Sequence, residues 1–225
     1  MVNQIIRARG PLLTLSIFLA LSLSIAGCDA GSASVSRPAA TATPSPTPIP
    51  RVIYQTDWSR DASQWTLAPG WRLSSSGLSN DGAGAEPLVI PYTPTVTNYT
   101  VAIALKVNAI RGGPQACGNQ YGLKGETRAG KAVYFASITC IERNFHSFAE
   151  LYSATNTAEF STNDYTPGTS ARTYYITVEG QYVSYQINTA FVGTVKCDLP
   201  TSPGRLVLIN ANMATEIQSI TITTP

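Results

Sequence analysis

Tyr99-Thr100-Val101-Ala102-Ile103-Ala104-Leu105-Lys106-Val107-Asn108 decides the fold class of this chain. Tyr99, Val101, Ile103, Leu105 and Val107 fall on one face of an extended strand. Thr100, Ala102, Ala104, Lys106 and Asn108 fall on the other. A period of two over this length is the pattern of a strand in a sheet packed on one side, and no helix reproduces it.

The same alternation recurs on both sides of this stretch. Strands are expected at 52–55, 71–75, 87–90, 119–125, 132–140, 147–152, 172–179, 181–187, 190–196, 205–210 and 216–223. Turn signals separate them: Asn80-Asp81-Gly82, Arg111-Gly112-Gly113-Pro114, Pro167-Gly168, Glu179-Gly180 and Ser202-Pro203-Gly204. Gly, Pro, Asn and Asp supply the backbone conformations that tight turns require. No segment carries a helical repeat. About twelve short strands joined by hairpin-type turns predict an all-β, two-sheet antiparallel sandwich. With 11 Tyr and 17 Gly and only 12% charged residues, the composition agrees. Residues 51–225 suffice for one well-buried core.

Upstream, the character changes twice. Arg7 and Arg9 precede an apolar run from Leu12 to Ile25, too short for a stable membrane span of roughly 20 residues and suited to a signal peptide over 1–27. Ile25-Ala26-Gly27-Cys28 resembles the lipobox of bacterial lipoproteins. That resemblance implies lipid (diacylglycerol, with palmitate-type acyl chains) on Cys28, cleavage just before it, and an extracytoplasmic chain anchored to a cell membrane. Each buried methylene adds about 0.8 kcal/mol to anchoring. Asp29 follows; in bacteria with two membranes, it would imply inner-membrane retention. Residues 28–50 then form a Ser/Thr/Pro-rich linker. Pro44, Pro46, Pro48 and Pro50 alternate in it, which favours an extended spacer of about 3 Å per residue.

Cleavage would also remove the apparent basic charge. The chain has 15 basic and 13 acidic residues, and losing Arg7 and Arg9 leaves 13 of each. A nucleic-acid partner would need a basic patch, and this balance argues against one. Outside the cytoplasm a cysteine pair should oxidise. Cys117, Cys140 and Cys197 allow three pairings with one thiol left over; Cys117 precedes one expected strand and Cys140 ends the next, so Cys117–Cys140 is the favoured one.

The order of pieces resembles the concanavalin A-like, laminin-G-like jelly-roll domains, the superfamily that also holds laminarinase-type and 3-keto-disaccharide hydrolase-type enzymes. Asp57-Trp58 with Gln64-Trp65, Trp71-Arg72-Leu73 with Gly77-Leu78-Ser79, Tyr121-Gly122-Leu123 with Val133-Tyr134-Phe135, and Tyr174 to Gly180 carry the likeness. It departs where that family often has Asn-Gly before the Phe191 strand; here Asn188 is followed by Thr189. The resemblance implies glycan binding, with protein binding or a structural envelope role as the alternative and glycan hydrolysis as the second alternative.

Chemistry-bearing residues are sparse. A retaining glycosidase needs two carboxyl groups about 5–5.5 Å apart, and no clustered acid motif occurs. Glu126, Glu142, Glu150, Glu159, Glu179 and Glu216 are scattered, and Glu142 and Glu150 are the pair most suited to converge. His146 is the only histidine, so a catalytic triad has little to be built from. The chain therefore reads as a binding protein rather than an enzyme. Structural calcium is a candidate cofactor, as in many jelly rolls of this superfamily, with Asp57 and Asp61 (and Asp81 beyond them) as candidate ligands; turn and cap chemistry is their alternative role. Adjacent aromatics in a strand point to opposite faces. One ring of Tyr134-Phe135 and one of Tyr174-Tyr175 must therefore face outward. Tyr134 and Tyr175 are the expected outward members, with Tyr152, Tyr182 and Arg172 as neighbours in a glycan site. Trp58 and Trp65 are expected in the core, and Trp71 on either side.

Overall fold

The computed structural model describes residues 49–83, 86–111, 120–140, 147–154, 170–198 and 204–225, with the side chains of Cys140 and Ser147 excepted. The signal peptide, Cys28, the linker to Pro48, Cys117, Glu142 and His146 lie outside the described residues. So does the Cys117–Cys140 pairing.

Thirteen strands run in chain order among the described residues: β1 Arg51–Gln55, β2 Trp71–Ser74, β3 Gly77–Asp81, β4 Leu88–Val89, β5 Tyr99–Ile110, β6 Gln120–Glu126, β7 Ala132–Cys140, β8 Ser147–Ser153, β9 Arg172–Glu179, β10 Tyr182–Ile187, β11 Ala190–Lys196, β12 Arg205–Ala211 and β13 Met213–Thr224. One 3-10 turn, Asp61–Gln64, interrupts them. Every expected strand is present, and Gly77–Asp81 joins them as the return arm of the Trp71 hairpin. No described helix is long and apolar enough to cross a membrane.

The strands form two antiparallel sheets. The larger has eight strands in the order β11-β10-β9-β5-β13-β3-β2, with β1 also paired to β13. The smaller has the order β4-β12-β6-β7-β8. This is the jelly-roll sandwich. The chain passes from the smaller sheet to the larger between β12 and β13, where Asn212 takes a left-handed φ of 58°. Asn210 Nδ2 donates to Thr215 Oγ1 across that corner at 2.7 Å. Asparagine tolerates this backbone region where β-branched residues do not.

Apolar alternation points each strand's core set between the sheets. Val101, Ile103, Leu105 and Val107 of β5 meet Leu123, Ala136, Ile138, Leu151, Leu206 and Leu208 of the smaller sheet in one core. A buried aliphatic side chain contributes about 1.5–3 kcal/mol. Trp58, Trp65 and Trp71 are all buried there, which settles Trp71 as a core residue. Trp58 Nε1 donates to the Gln218 carbonyl at 2.6 Å and Trp71 Nε1 to that of Glu86 at 3.0 Å. The two indoles thereby tie the segment after β1 to β13, and the start of β2 to the segment before β4.

The Asn188-Thr189 turn solves its missing glycine with asparagine. Asn188 adopts φ 52°, its N–H reaches the Thr173 carbonyl at 2.7 Å, and its Oδ1 accepts from Thr173 N–H at 2.9 Å. That side-chain bond replaces what glycine would give by conformational freedom alone.

Candidate functional site

Strand pairing arranges the outward side chains of the smaller sheet in rows across the strands. One row runs Val207, Lys124, Phe135, Tyr152. The next runs Ile209, Gly122, Ser137, Glu150, and the third Ala211, Gln120, Thr139, Phe148. Rows on one face stand about 7 Å apart, two residues along a strand. The middle row has small side chains at its centre and larger ones on either side; this low row, the trough, crosses β6 and β7 and ends at Glu150 on β8.

Gly122 lies tight against the backbone of β7. A Cβ there would sit 2.2 Å from the Ala136 carbonyl oxygen and 2.6 Å from Ser137 Cα. Ser137 is fully buried although it points away from the core, and Gln120 Nε2 donates to its Oγ at 3.1 Å. Glu150 is also buried at the end of the row. Thr139 Oγ1 is buried with no hydrogen-bond partner.

One wall is aromatic. The Phe135 and Tyr152 rings stack with centroids 4.6 Å apart and planes 15° from parallel. Lys124 Nζ lies 5.9 Å from the Phe135 centroid on its other side. Tyr152 is thus the outer plate of a stack on the edge strand.

The wall's charge is held by Glu126. Its Oε1 accepts from Lys124 Nζ at 2.6 Å and its Oε2 from Arg205 at 2.7 Å. Glu126 is buried and is not the isolated acid its sequence position suggests: strand order brings β12 and β6 side by side. Glu216, another such acid, pairs with Lys106 at 2.9 Å on the larger sheet. That contact, ahead of a hydrogen bond from Asn108, holds its carboxyl below the usual range.

The expected ligand residues do not gather. Tyr134 is 1% exposed and faces the core, so Phe135 takes the outward position assigned to its neighbour. The Tyr134 ring lies over Gly125 of β6, where a Cβ would come within 2.2 Å of it. Burial drives the Tyr134 phenol well above its usual pKa. Tyr175 does face outward, paired with Ala102 and Gln186, but on the larger sheet. Tyr182 shares that face at 53% exposure, four residues along β10 from Gln186. Tyr152 belongs to the smaller sheet. Arg172 falls on the inward parity of β9, beside the buried pair of Tyr121 and Tyr174 hydroxyls 2.9 Å apart, and its charge acts on both phenols. Of the expected acids, Glu150 is in the trough, whereas Glu142 lies outside the described residues.

Asp57 and Asp61 occupy a tight turn. Asp57 Oδ1 accepts from Ser59 Oγ at 2.6 Å and its Oδ2 from Arg60, which hold its carboxyl down at about 2. Asp61 Oδ2 accepts from the Asp57 N–H at 2.8 Å. These oxygens serve turn and cap chemistry. Among the described residues no group of three acids, histidines or cysteines is placed to hold a metal. Cys197 is a free, buried thiol.

No protein-family model matches the sequence, and no curated protein matches it. Solved structures do. The VIP36 exoplasmic/lumenal domain in its Ca2+/Man-bound form superposes with a TM-score of 0.57 at 8% identity, over 72% of this chain and 83% of that one. The CBM2 module of the evolved Dit of Lactobacillus casei BL23 phage J-1 gives 0.57 at 9% identity, over 78% and 96%. The carbohydrate-binding module CBM66 from Bacillus subtilis gives 0.51 at 16% identity, over 72% and 96%. At such identities the likeness is one of fold: this chain folds as a jelly-roll sandwich, as they do.

Proposed function

We propose that this chain is a lipid-anchored protein of a cell surface that binds glycans in the trough of its five-stranded sheet. The observation that carries the reading is the stacked Phe135–Tyr152 pair beside a low polar row. The apolar face of a sugar ring packs on an aromatic plate, while its hydroxyls need donors and acceptors close by. Gln120, Lys124 and the Glu150 carboxylate are of that kind. The solved structures of this fold whose names describe carbohydrate binding lend the reading support. Their Ca2+/Man-bound form also keeps structural calcium among the proposals for this chain.

Anchoring rests on Ile25-Ala26-Gly27-Cys28, with residues 28–50 as the spacer that lifts the sandwich from the lipid. Labelled palmitate incorporated by the wild-type chain and not by Cys28→Ser is the expected result. Equal labelling of both would remove the anchor. For the site, titration against a glycan panel should show an affinity lowered at least tenfold in Tyr152→Ala and Phe135→Ala, with thermal unfolding little changed. Unchanged affinity would move the site elsewhere. Absence of any glycan ligand, with one envelope protein co-purifying, would favour the protein-binding alternative.

One observation favours the hydrolase alternative: a carboxylate, Glu150, is buried on an outward face at the end of the trough. A glycosidase needs such a carboxyl group beside the scissile bond. Sugar release from a polysaccharide, abolished in Glu150→Gln, would establish it.

A further inference from the structure

The outward face of the eight-stranded sheet has an order of its own. Thr223 pairs with Thr100, Thr100 with Thr177, Thr177 with Ser184, and Ser184 with Thr194. Five adjacent strands thus present five hydroxyl residues in one straight row. Neighbouring strands lie about 4.8 Å apart, so the row repeats at that interval over roughly 19 Å. The hydroxyls are linked in pairs: Thr100 Oγ1 is 3.0 Å from Thr177 Oγ1, and Ser184 Oγ is 2.7 Å from Thr194 Oγ1.

The next row supplies apolar plates. Tyr175 pairs with Gln186, and Gln186 with Phe191. Tyr175 is half-buried, and Phe191 is 61% exposed, unusual for a phenylalanine. The two rings stand two strands apart, about 10 Å. No charged side chain stands in either row.

We propose that this face is a second binding surface, which takes an extended, uncharged, β-linked polysaccharide chain laid across strands β13, β5, β9, β10 and β11. Each hydroxyl can both donate and accept, and the strand interval is close to the length of one sugar unit in an extended chain. Tyr175 and Phe191 then meet alternate rings of the polymer. An anionic polymer would find no cation in these two rows, and the Glu179 and Lys196 that flank Tyr182 in the adjoining row carry opposite charges; the apolar area is limited to the two rings, Tyr182 and Val52. The neutral polymer is the occupant that matches spacing, charge and aromatic placement together. This surface is independent of the trough: it lies on the other sheet and shares no residue with it.

The test is a depletion assay with the full chain in detergent micelles, using microcrystalline cellulose and chitin as the probes. Wild type should be retained on at least one of them. Tyr175→Ala/Phe191→Ala should lower retention tenfold or more, and Thr100→Val/Thr177→Val about threefold, whereas Arg60→Ala, in the exposed turn after β1, should leave retention unchanged. Near-ultraviolet circular dichroism checks that each variant keeps the wild-type fold, and Phe191→Tyr should retain the binding that Phe191→Ala loses, since a plate is what the polymer needs. Failure of wild type to bind either polymer would overturn the proposal, as would retention unaffected by Tyr175→Ala/Phe191→Ala. Soluble-glycan binding lost only in Tyr152→Ala would in either case leave the trough standing. Loss of retention in Tyr152→Ala alone would assign the polymer to the trough and also overturn the second surface.

Discussion

The two outward faces of this sandwich are made by the same alternation and look nothing alike. On the five-stranded sheet the rows differ in height and charge. Stacked rings stand beside a low polar row, and a buried carboxylate holds two cations. On the eight-stranded sheet the hydroxyl row and the Tyr175–Phe191 row are level and uncharged, and the Lys106–Glu216 pair stands apart from them. The inward sets of both sheets must fill one core, and packing constrains them closely. Outward residues escape that demand. Where such residues are nevertheless buried, as Ser137, Glu150 and Val207 are, something other than the core has shaped them.

The widest separation between the faces should appear at the tyrosines. Tyr134→Ala empties a fully buried ring site and should lower unfolding free energy by about 3–5 kcal/mol in urea titration. Tyr175→Ala, outward on the other sheet, should cost under about 1 kcal/mol. Equal effects would mean that the inward and outward assignments of these residues are wrong.

That pair also marks how far the sequence could be read. Alternation requires one ring of Tyr134-Phe135 to face in and the other out, and this much holds. Which one faces in depends on the companions at positions two apart. Tyr134, Ala136 and Ile138 form the apolar set, whereas Phe135 travels with Ser137 and Thr139. That signal was present, although the small apolar Ala136 makes it weak. In β9 the companions of Tyr174 are Ile176 and Val178, and Tyr175 reads outward without difficulty. The rows could not be read at all. They depend on which strands are neighbours and in what register, and Lys124, Phe135 and Tyr152 become one wall only after β6, β7 and β8 are aligned. Glu126 met its cations the same way: Arg205 is 79 residues distant in sequence.

The ion pairs give the second contrast. Glu126 is buried between Lys124 and Arg205, and Glu126→Gln should lower stability by about 1.5–3 kcal/mol, as expected for hydrogen bonds to charged groups. The Lys106–Glu216 pair on the larger sheet has both side chains 28% exposed. Water and salt screen it, so Glu216→Gln should cost only about 0.2–1 kcal/mol. Raising salt should narrow the second difference and leave the first nearly intact. The opposite salt response would put the buried charge on the wrong face.

Crowding Gly122 should come next. Gly122→Ala forces a methyl toward the Ala136 carbonyl and Ser137, and strands β6 and β7 can make room only by separating. Overpacking of this kind costs about 1–3 kcal/mol. Ala102→Ser, on the level face beside Tyr175, should stay within about 0.5 kcal/mol. Glycan affinity should fall in Gly122→Ala and hold in Ala102→Ser.

The smallest effect concerns what the faces share, the core between them. Cys197 is buried there, and burial, followed by the nearby Asp198 carboxylate, pushes its thiol from 9.0 up to about 11. The folded state therefore keeps the thiol neutral after the unfolded chain has begun to ionise. The advantage of the neutral thiol is complete below about pH 9 and is lost as pH rises toward 11. By pH 10 the loss should reach about 1 kcal/mol. Tyr121, Tyr134 and Tyr174 are raised as well, but their unfolded counterparts ionise about a unit higher. The first part of an alkaline decline in thermal stability should accordingly flatten in Cys197→Ala, while the later part remains. Substitutions confined to either outward face, Thr177→Val or Gln120→Ala, should shift the curve vertically without changing its slope. A slope altered by a face variant and unaltered by Cys197→Ala would mean that the group titrating first sits on a surface rather than between the sheets.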